Sequence, residues 1–445
     1  MLATALLFFA LLSPAIQEDD TPELRGRATV FRLDHIETLD GDAITGGVIV
    51  VRSGMIEKLG VAVVVPEDAI EIDLRGTGAT AMPPLVVSSS TMLQTDSRGR
   101  GNKSQWRAAD SLWLEEDSWQ ELLEAGVVMM GVDPPGNGIP GRTSVLDVNH
   151  GWPRATALVD DLHLKLTIDA SSSAKDVLRN GFKAADEAIE KEEKARADWE
   201  KARSEWEERQ KEKAKDEKAE NKGGKDDAKS PNGEKKNGGE EDKEPPKEFT
   251  APTIPDNTKA LIELVNKERV AVIHINSPAE WLHWEDVLGE REISWQAVLS
   301  FSSSTNLHEV IQRIVDSGVK IHASTRISYL PQTRIRINLA AELVAAGLEQ
   351  ISLLPASDNL RGVREWRVHL ADLVREGLAR DTALKAVSIY PAAALGQEEK
   401  IQSLKAGAPA NFVIFGGDPL DPVAQANFVV YEGKIIYDRA QEEDK

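Results

Sequence analysis

The side chains best placed to do chemistry in this chain are a cluster of hydroxyls, a few imidazoles, one isolated lysine and a late aspartate. The run Leu85-Val86-Val87-Ser88-Ser89-Ser90-Thr91 ends an apolar segment in four consecutive hydroxyls, and strand alternation puts Ser89 and Thr91 on one face. His274 closes the apolar run Val270-Ala271-Val272-Ile273-His274-Ile275. Lys165 ends the alternating stretch Leu162-His163-Leu164-Lys165-Leu166, and Asp358 follows the apolar run Gln350-Ile351-Ser352-Leu353-Leu354. Imidazole and carboxylate can ligate a divalent ion or move protons, whereas neutral hydroxyls are poor zinc ligands. The bland roles are equally definite: a hydrogen-bonded core histidine for His274, a solvated or salt-bridged lysine for Lys165, and a turn or helix cap for Asp358. A serine nucleophile needs a neighbouring base, and no Gly-x-Ser-x-Gly elbow or phosphate-cradling glycine loop is present. His35, His150, His283, His322 and His369 show no ligand spacing.

Such groups need a scaffold that brings distant strand ends together. Apolar runs such as 126–132, 270–275 and 350–354 alternate with segments whose apolar residues recur at three and four, among them 307–316, 337–346 and 363–376. That alternation predicts a parallel α/β core, as a closed barrel or an open doubly wound sheet. Short hairpin patterns at 28–59 and 410–437 predict one small β unit completed by both chain ends. Between 183 and 250 the material changes. The stretch 184–214 is rich in Ala, Glu, Lys and Arg, with Trp199 and Trp206 seven apart, and predicts a solvated helix with one apolar stripe. The stretch 215–247 has almost nothing to bury and is expected to be disordered. The insertion is either an inert surface loop or an arm with the tryptophans as partner anchors.

Several segments together resemble the amidohydrolase superfamily, in its imidazolonepropionase-like branch. They are 46–60, Ile72-Asp73-Leu74-Arg75-Gly76, Ala81-Met82-Pro83-Pro84-Leu85-Val86, the loop Pro134–Gly141, the helix motif 383–396 and the return Ser403–Asn411. The resemblance runs from about residue 27 to 438 and is dispersed, with each motif weak alone. It implies a distorted TIM (β/α)8 barrel over 81–396, with an adjoining β sandwich from 26–80 and 397–438. The implied activity is hydrolysis of non-peptide carbon–nitrogen bonds by metal-activated water. In that family the first barrel strand ends in His-x-His, and here Ser89 and Thr91 stand in those places. His274 matches a family ligand, Ser303 falls near the next expected histidine, and His308 lies a few residues on. Pro355 aligns with the catalytic aspartate, with Asp358 three residues further. Lys165 matches the bridging lysine that some members carboxylate. This pattern implies a pseudoenzyme with a ligand- or partner-binding role, with no metal expected. The alternative is an active hydrolase using zinc or another divalent ion.

Composition narrows the remaining classes. The chain has 445 residues, no cysteine, and 74 acidic against 53 basic residues for a net charge of −21. Disulfides and thiolate chemistry are excluded, and an electrostatic footprint for nucleic acid is disfavoured. Residues 1–15 read as a signal peptide, which predicts export to the periplasm or medium, and no segment predicts a transmembrane span. Expected partners are a small molecule, a related amidohydrolase chain or a second copy of this one.

Overall fold

The computed structural model describes residues 26–95, 99–113, 116–147, 157–220, 244–299 and 306–443. The apolar run at 1–15 read as a signal peptide, Ser303 and positions 221–243 of the insertion lie outside them.

Seven strands carry the centre of the mixed α/β fold: β1 (Leu85–Ser90), β2 (Val127–Val132), β3 (Leu164–Thr167), β4 (Val270–Ile275), β5 (Ser294–Leu299), β6 (Lys320–Ser324) and β7 (Ile351–Leu354). β2 is buried at all six positions, which suits a strand covered on both faces and accounts for its uninterrupted apolar sequence. It pairs parallel with β1 and antiparallel with Ser144–Asp147. From β3 to β7 each strand pairs parallel with the next, in a sheet that Gly141–Arg142 extends antiparallel at its edge. Among the described residues these are two hydrogen-bonded sheets, with β7 lying against β1. All five parallel strands therefore point their carboxyl ends the same way, which is where an α/β fold collects its functional groups.

Four helices matter to the argument: α1 (Ser172–Glu220), α2 (Asp256–Val265), α3 (Pro278–Leu288) and α4 (Leu360–Arg375). The start of α3 is set by Ser277, whose side chain accepts from the Glu280 amide, with proline at the first helical position. Its buried Trp281 and Trp284 meet Trp295 of β5 at ring-centroid distances of 5.8 and 5.5 Å. At α4 the cap is Asn359, which accepts from the Gly362 amide at 2.8 Å. The capping role read for Asp358 thus belongs to its neighbour, and the Asp358 carboxylate is directed elsewhere.

The insertion differs from expectation at both boundaries. α1 begins at Ser172, buries Leu178, Phe182 and Ala185 on the core, and continues to Glu220, past the point where order was expected to end. Its Ala, Lys and Glu content has high intrinsic helix propensity, so the helix needs no apolar face to persist. The tryptophan stripe is met by the returning chain. Trp199 donates its indole N–H to the Pro246 carbonyl at 2.9 Å and lies 6.0 Å from the Phe249 ring, while Arg196 stacks on that ring at 4.6 Å.

Both chain ends share one six-stranded sheet, in which Phe412–Phe415 runs antiparallel to Thr80–Met82. A four-stranded sheet containing Thr29–Arg32 faces it across Phe31 and Phe412, edge to face at 5.3 Å. Thr80–Met82 leads directly into β1, so this β unit anchors the first site-bearing strand.

Candidate functional site

The site is built where β1 and β2 end together. Gly131 lies so close to the Ser88 carbonyl that a Cβ there would fall on it, and this approach lets the Asp133 amide donate to the Ser90 carbonyl at 2.7 Å. Asp133, only 2% exposed, is thereby carried to the sheet mouth. Its Oδ2 accepts from Ser89 Oγ at 2.6 Å and from His274 Nε2 at 3.0 Å. Burial pushes its pKa upward, but the His274 hydrogen bond and the Lys165 charge outweigh burial and hold it below the usual value. The His274 imidazole shifts downward because it is buried and faces Lys165, with Asp133 opposing.

Asp358 reaches the same mouth from the loop after β7. Its Oδ1 accepts from Ser90 Oγ at 2.5 Å, and its Oδ2 accepts from Thr91 Oγ1 at 2.6 Å and the Thr91 amide at 2.8 Å. The loop fits because Gly362, at the start of α4, presents no side chain to the Ser357 carbonyl, where a Cβ would collide. Thr91 lies just past the end of β1, so its backbone as well as its hydroxyl is free to bind a carboxylate.

One layer deeper, His322 of β6 completes a second network. Gln296 donates its amide N–H to the Ala394 carbonyl, so its Oε1 accepts from His322 Nε2 at 2.8 Å. His322 Nδ1 then accepts from Ser88 Oγ at 2.7 Å, a neutral tautomer fixed by its neighbours. Burial holds His322 down to about 3, and His163 to about 4.

Lys165 of β3 is 4% exposed. Among the described residues it has no hydrogen-bond or ion-pair partner, contrary to the solvated or paired lysine expected from sequence. It lines two adjoining cavities together with Thr91 and His274. One, of about 290 Å³, is bounded by Ser89, Ser90, Ser324 and the 354–358 segment. The other, of about 550 Å³, opens toward Arg100, the Pro135–Gly138 loop and Asp169. Burial pulls its pKa below the ordinary amine value, opposed by the charges of Asp133 and Asp358.

Of the residues singled out in the sequence, Ser89, Thr91, Lys165, His274 and Asp358 come together here, and Pro355 lines the same cavity. Ser303 lies outside the described residues, and His308, in the short turn Leu307–Val310, lines neither cavity. Asp133 and the Ser88–His322–Gln296 chain were missed. An acidic residue ending a wholly apolar strand and followed by two prolines was a readable signal for Asp133. Nothing in the local sequence pointed to His322.

The imidazole and carboxylate donors of the mouth are turned toward protein groups. His274 turns Nε2 toward Asp133, and the oxygens of Asp358 are taken by Ser90 and Thr91. Among the described residues no group of three or more His, Cys, Asp or Glu side chains is arranged to hold a metal.

No family model matches the chain, and no curated protein sequence matches it. Solved structures do. An amidohydrolase from Thermotoga maritima MSB8 superposes with a TM-score of 0.69 at 18% identity, covering 92% of this chain and 100% of its own. A β-aspartyl dipeptidase from Fervidobacterium islandicum AW-1, in complex with a β-Asp-Leu dipeptide, gives 0.51 at 10% identity over 93% of this chain and 97% of its own. A fold shared over nearly the whole of both chains, with the site groups gathered at the carboxyl ends of its parallel strands, places this protein among those with the amidohydrolase fold.

Proposed function

We propose that this protein is a non-catalytic amidohydrolase-fold protein that binds a small molecule at the carboxyl ends of β1–β7, the two sheets being parts of one distorted (β/α)8 barrel. The observation that carries the reading is the state of the two mouth carboxylates. Asp133 is engaged by Ser89 and His274, and Asp358 by Ser90 and Thr91, so hydroxyl and imidazole donors hold charges that a hydrolase of this fold would direct at a metal and its water. A catalytic zinc ordinarily needs about three protein ligands and an open position. A self-satisfied network suits binding, because its rigid donors form a cavity floor without needing to exchange partners. The leader at 1–15 supports export as the setting for that binding.

The test is metal content and its engineered return. Purified protein is expected to carry no stoichiometric zinc, iron or manganese by elemental analysis after dialysis. The double substitution Ser89→His and Thr91→His is expected to gain zinc affinity by supplying two imidazoles beside His274. About one zinc per chain in the unmodified protein, together with carbon–nitrogen hydrolysis abolished by Asp358→Ala, would replace this reading with that of an active hydrolase.

A further inference from the structure

We propose that Lys165 is a nucleophilic amine that captures an uncharged aldehyde or ketone as an imine at the junction of the two mouth cavities. The inference rests on the cavity being a ligand site and names the chemistry of its ligand.

Three observations carry it. Lys165 is 4% exposed, yet it lines both the 290 Å³ and the 550 Å³ spaces, so its side chain is buried in protein while facing room for a small molecule. The Ser89, Ser90, Thr91, Asp133, His274 and Asp358 side chains are engaged with one another, whereas Lys165 has no hydrogen-bond or ion-pair partner among the described residues. A buried amine without a partner carries a desolvation penalty for its charged form, which favours the neutral, nucleophilic form. Its lowered pKa, caused by burial, points the same way, although Asp133 and Asp358 moderate it. Those carboxylates also select the ligand, because their field disfavours an anion beside the amine and leaves a neutral carbonyl compound as the matching class.

The reaction balances without a further reactant. The Lys165 Nζ lone pair attacks the carbonyl carbon, and the C=O π electrons move to oxygen, which takes up a proton equivalent to the one shed by nitrogen. The carbinolamine then expels its hydroxyl, which leaves as water with the second nitrogen proton, and a C=N bond remains. The protons pass between nitrogen and oxygen through water in the cavity, which His274 also lines.

The experiment treats the full chain with propanal and sodium cyanoborohydride, which reduces an imine to a stable secondary amine, and maps propyl groups by peptide mass spectrometry. In the unmodified protein at neutral pH, Lys165 is expected to be labelled at least about tenfold faster than the exposed Lys183, the reverse of the order that accessibility alone would give. Lys165→Arg, which keeps a cation but cannot form the imine, is expected to lose only the Lys165 label while Lys183 is modified as before. The Lys165-to-Lys183 comparison needs no variant and holds even if Lys165→Arg fails to fold. Labelling of Lys165 no faster than that of Lys183 overturns the proposal. That result leaves the metal-free binding reading standing, since the latter fails separately, on stoichiometric metal.

Discussion

At the scale of single residues, the mouth shows how protein donors hold a buried carboxylate. Asp133 is held by one hydroxyl and one imidazole, and charge-assisted hydrogen bonds of this kind contribute about 1.5–3 kcal/mol each. Asp133→Asn replaces an acceptor pair with a group that must also find partners for its own N–H, beside donors already aimed at it. Its expected effect is a loss of about 1.5–3 kcal/mol, read as a lower urea midpoint with an unchanged slope. The buried histidines make a pH prediction. His322 and His163 stay neutral in the folded chain to about 3 and about 4, against an ordinary value of 6.5. The unfolded chain therefore takes up protons that the folded chain refuses as pH falls below 6.5, and stability rises with pH across that window. Between about pH 6 and 4 the two histidines together should remove up to about 2.7 kcal/mol per pH unit. Urea midpoints at pH 7, 6 and 5 check this, and a flat profile from 7 to 5 contradicts it.

At the scale of elements, the site depends on two close backbone approaches. Gly131 sets the end of β2 against β1, and Gly362 sets the start of α4 against the loop that carries Asp358. Gly362→Ala forces a Cβ onto the Ser357 carbonyl, so the helix start and loop must part. Overpacking of this type costs about 1–3 kcal/mol, and here the shift should also draw Asp358 away from Ser90 and Thr91. The expected outcome is a lower melting temperature together with changed amide signals at Thr91, whose N–H is bound to Asp358. Unchanged Thr91 chemistry would show that the loop holds its place independently of α4. The same scale accounts for the insertion. α1 is a helix because its residues favour helix locally, and the returning 244–250 segment covers Trp199 because burying that ring and Phe249 together removes apolar surface from water.

At the scale of the whole molecule, the net charge of −21 and the absence of cysteine set solubility and redox chemistry but say nothing of the site. Residues 221–243 have nothing of size to bury, so their length is thermodynamically cheap. They cannot simply be removed. Arg203 pairs with Glu244 at 3.1 Å, whereas the described end of α1 at Glu220 lies about 25 Å further along the helix, a span of about eight extended residues. Replacing 221–243 with about ten Gly and Ser residues is expected to leave the melting temperature within about 3 °C, because the change in closure entropy is only about 0.7 kcal/mol. A larger drop by calorimetry would show that the natural segment contributes contacts.

The strand-helix alternation, the Ser89 and Thr91 substitutions on one strand face, and the separate character of 183–250 were all legible along the chain, because each is a local pattern of residue type and period. The partners of those residues were not. Ser89 meets Asp133 across 44 positions, Ser88 meets His322 across 234, and Ser90 meets Asp358 across 268. Hydrogen bonds at such separations depend on which strands end side by side, and no periodicity encodes that. Lys165 shows the limit most sharply. Its alternating context read as an ordinary exposed or paired lysine, and only the packing of β3 beside β4, with its side chain lining the cavities, left a buried amine without a hydrogen-bond or ion-pair partner among the described residues. Local sequence sets what a residue can do, whereas desolvation and the identity of its neighbours, which decide what it does, arise only when distant segments pack.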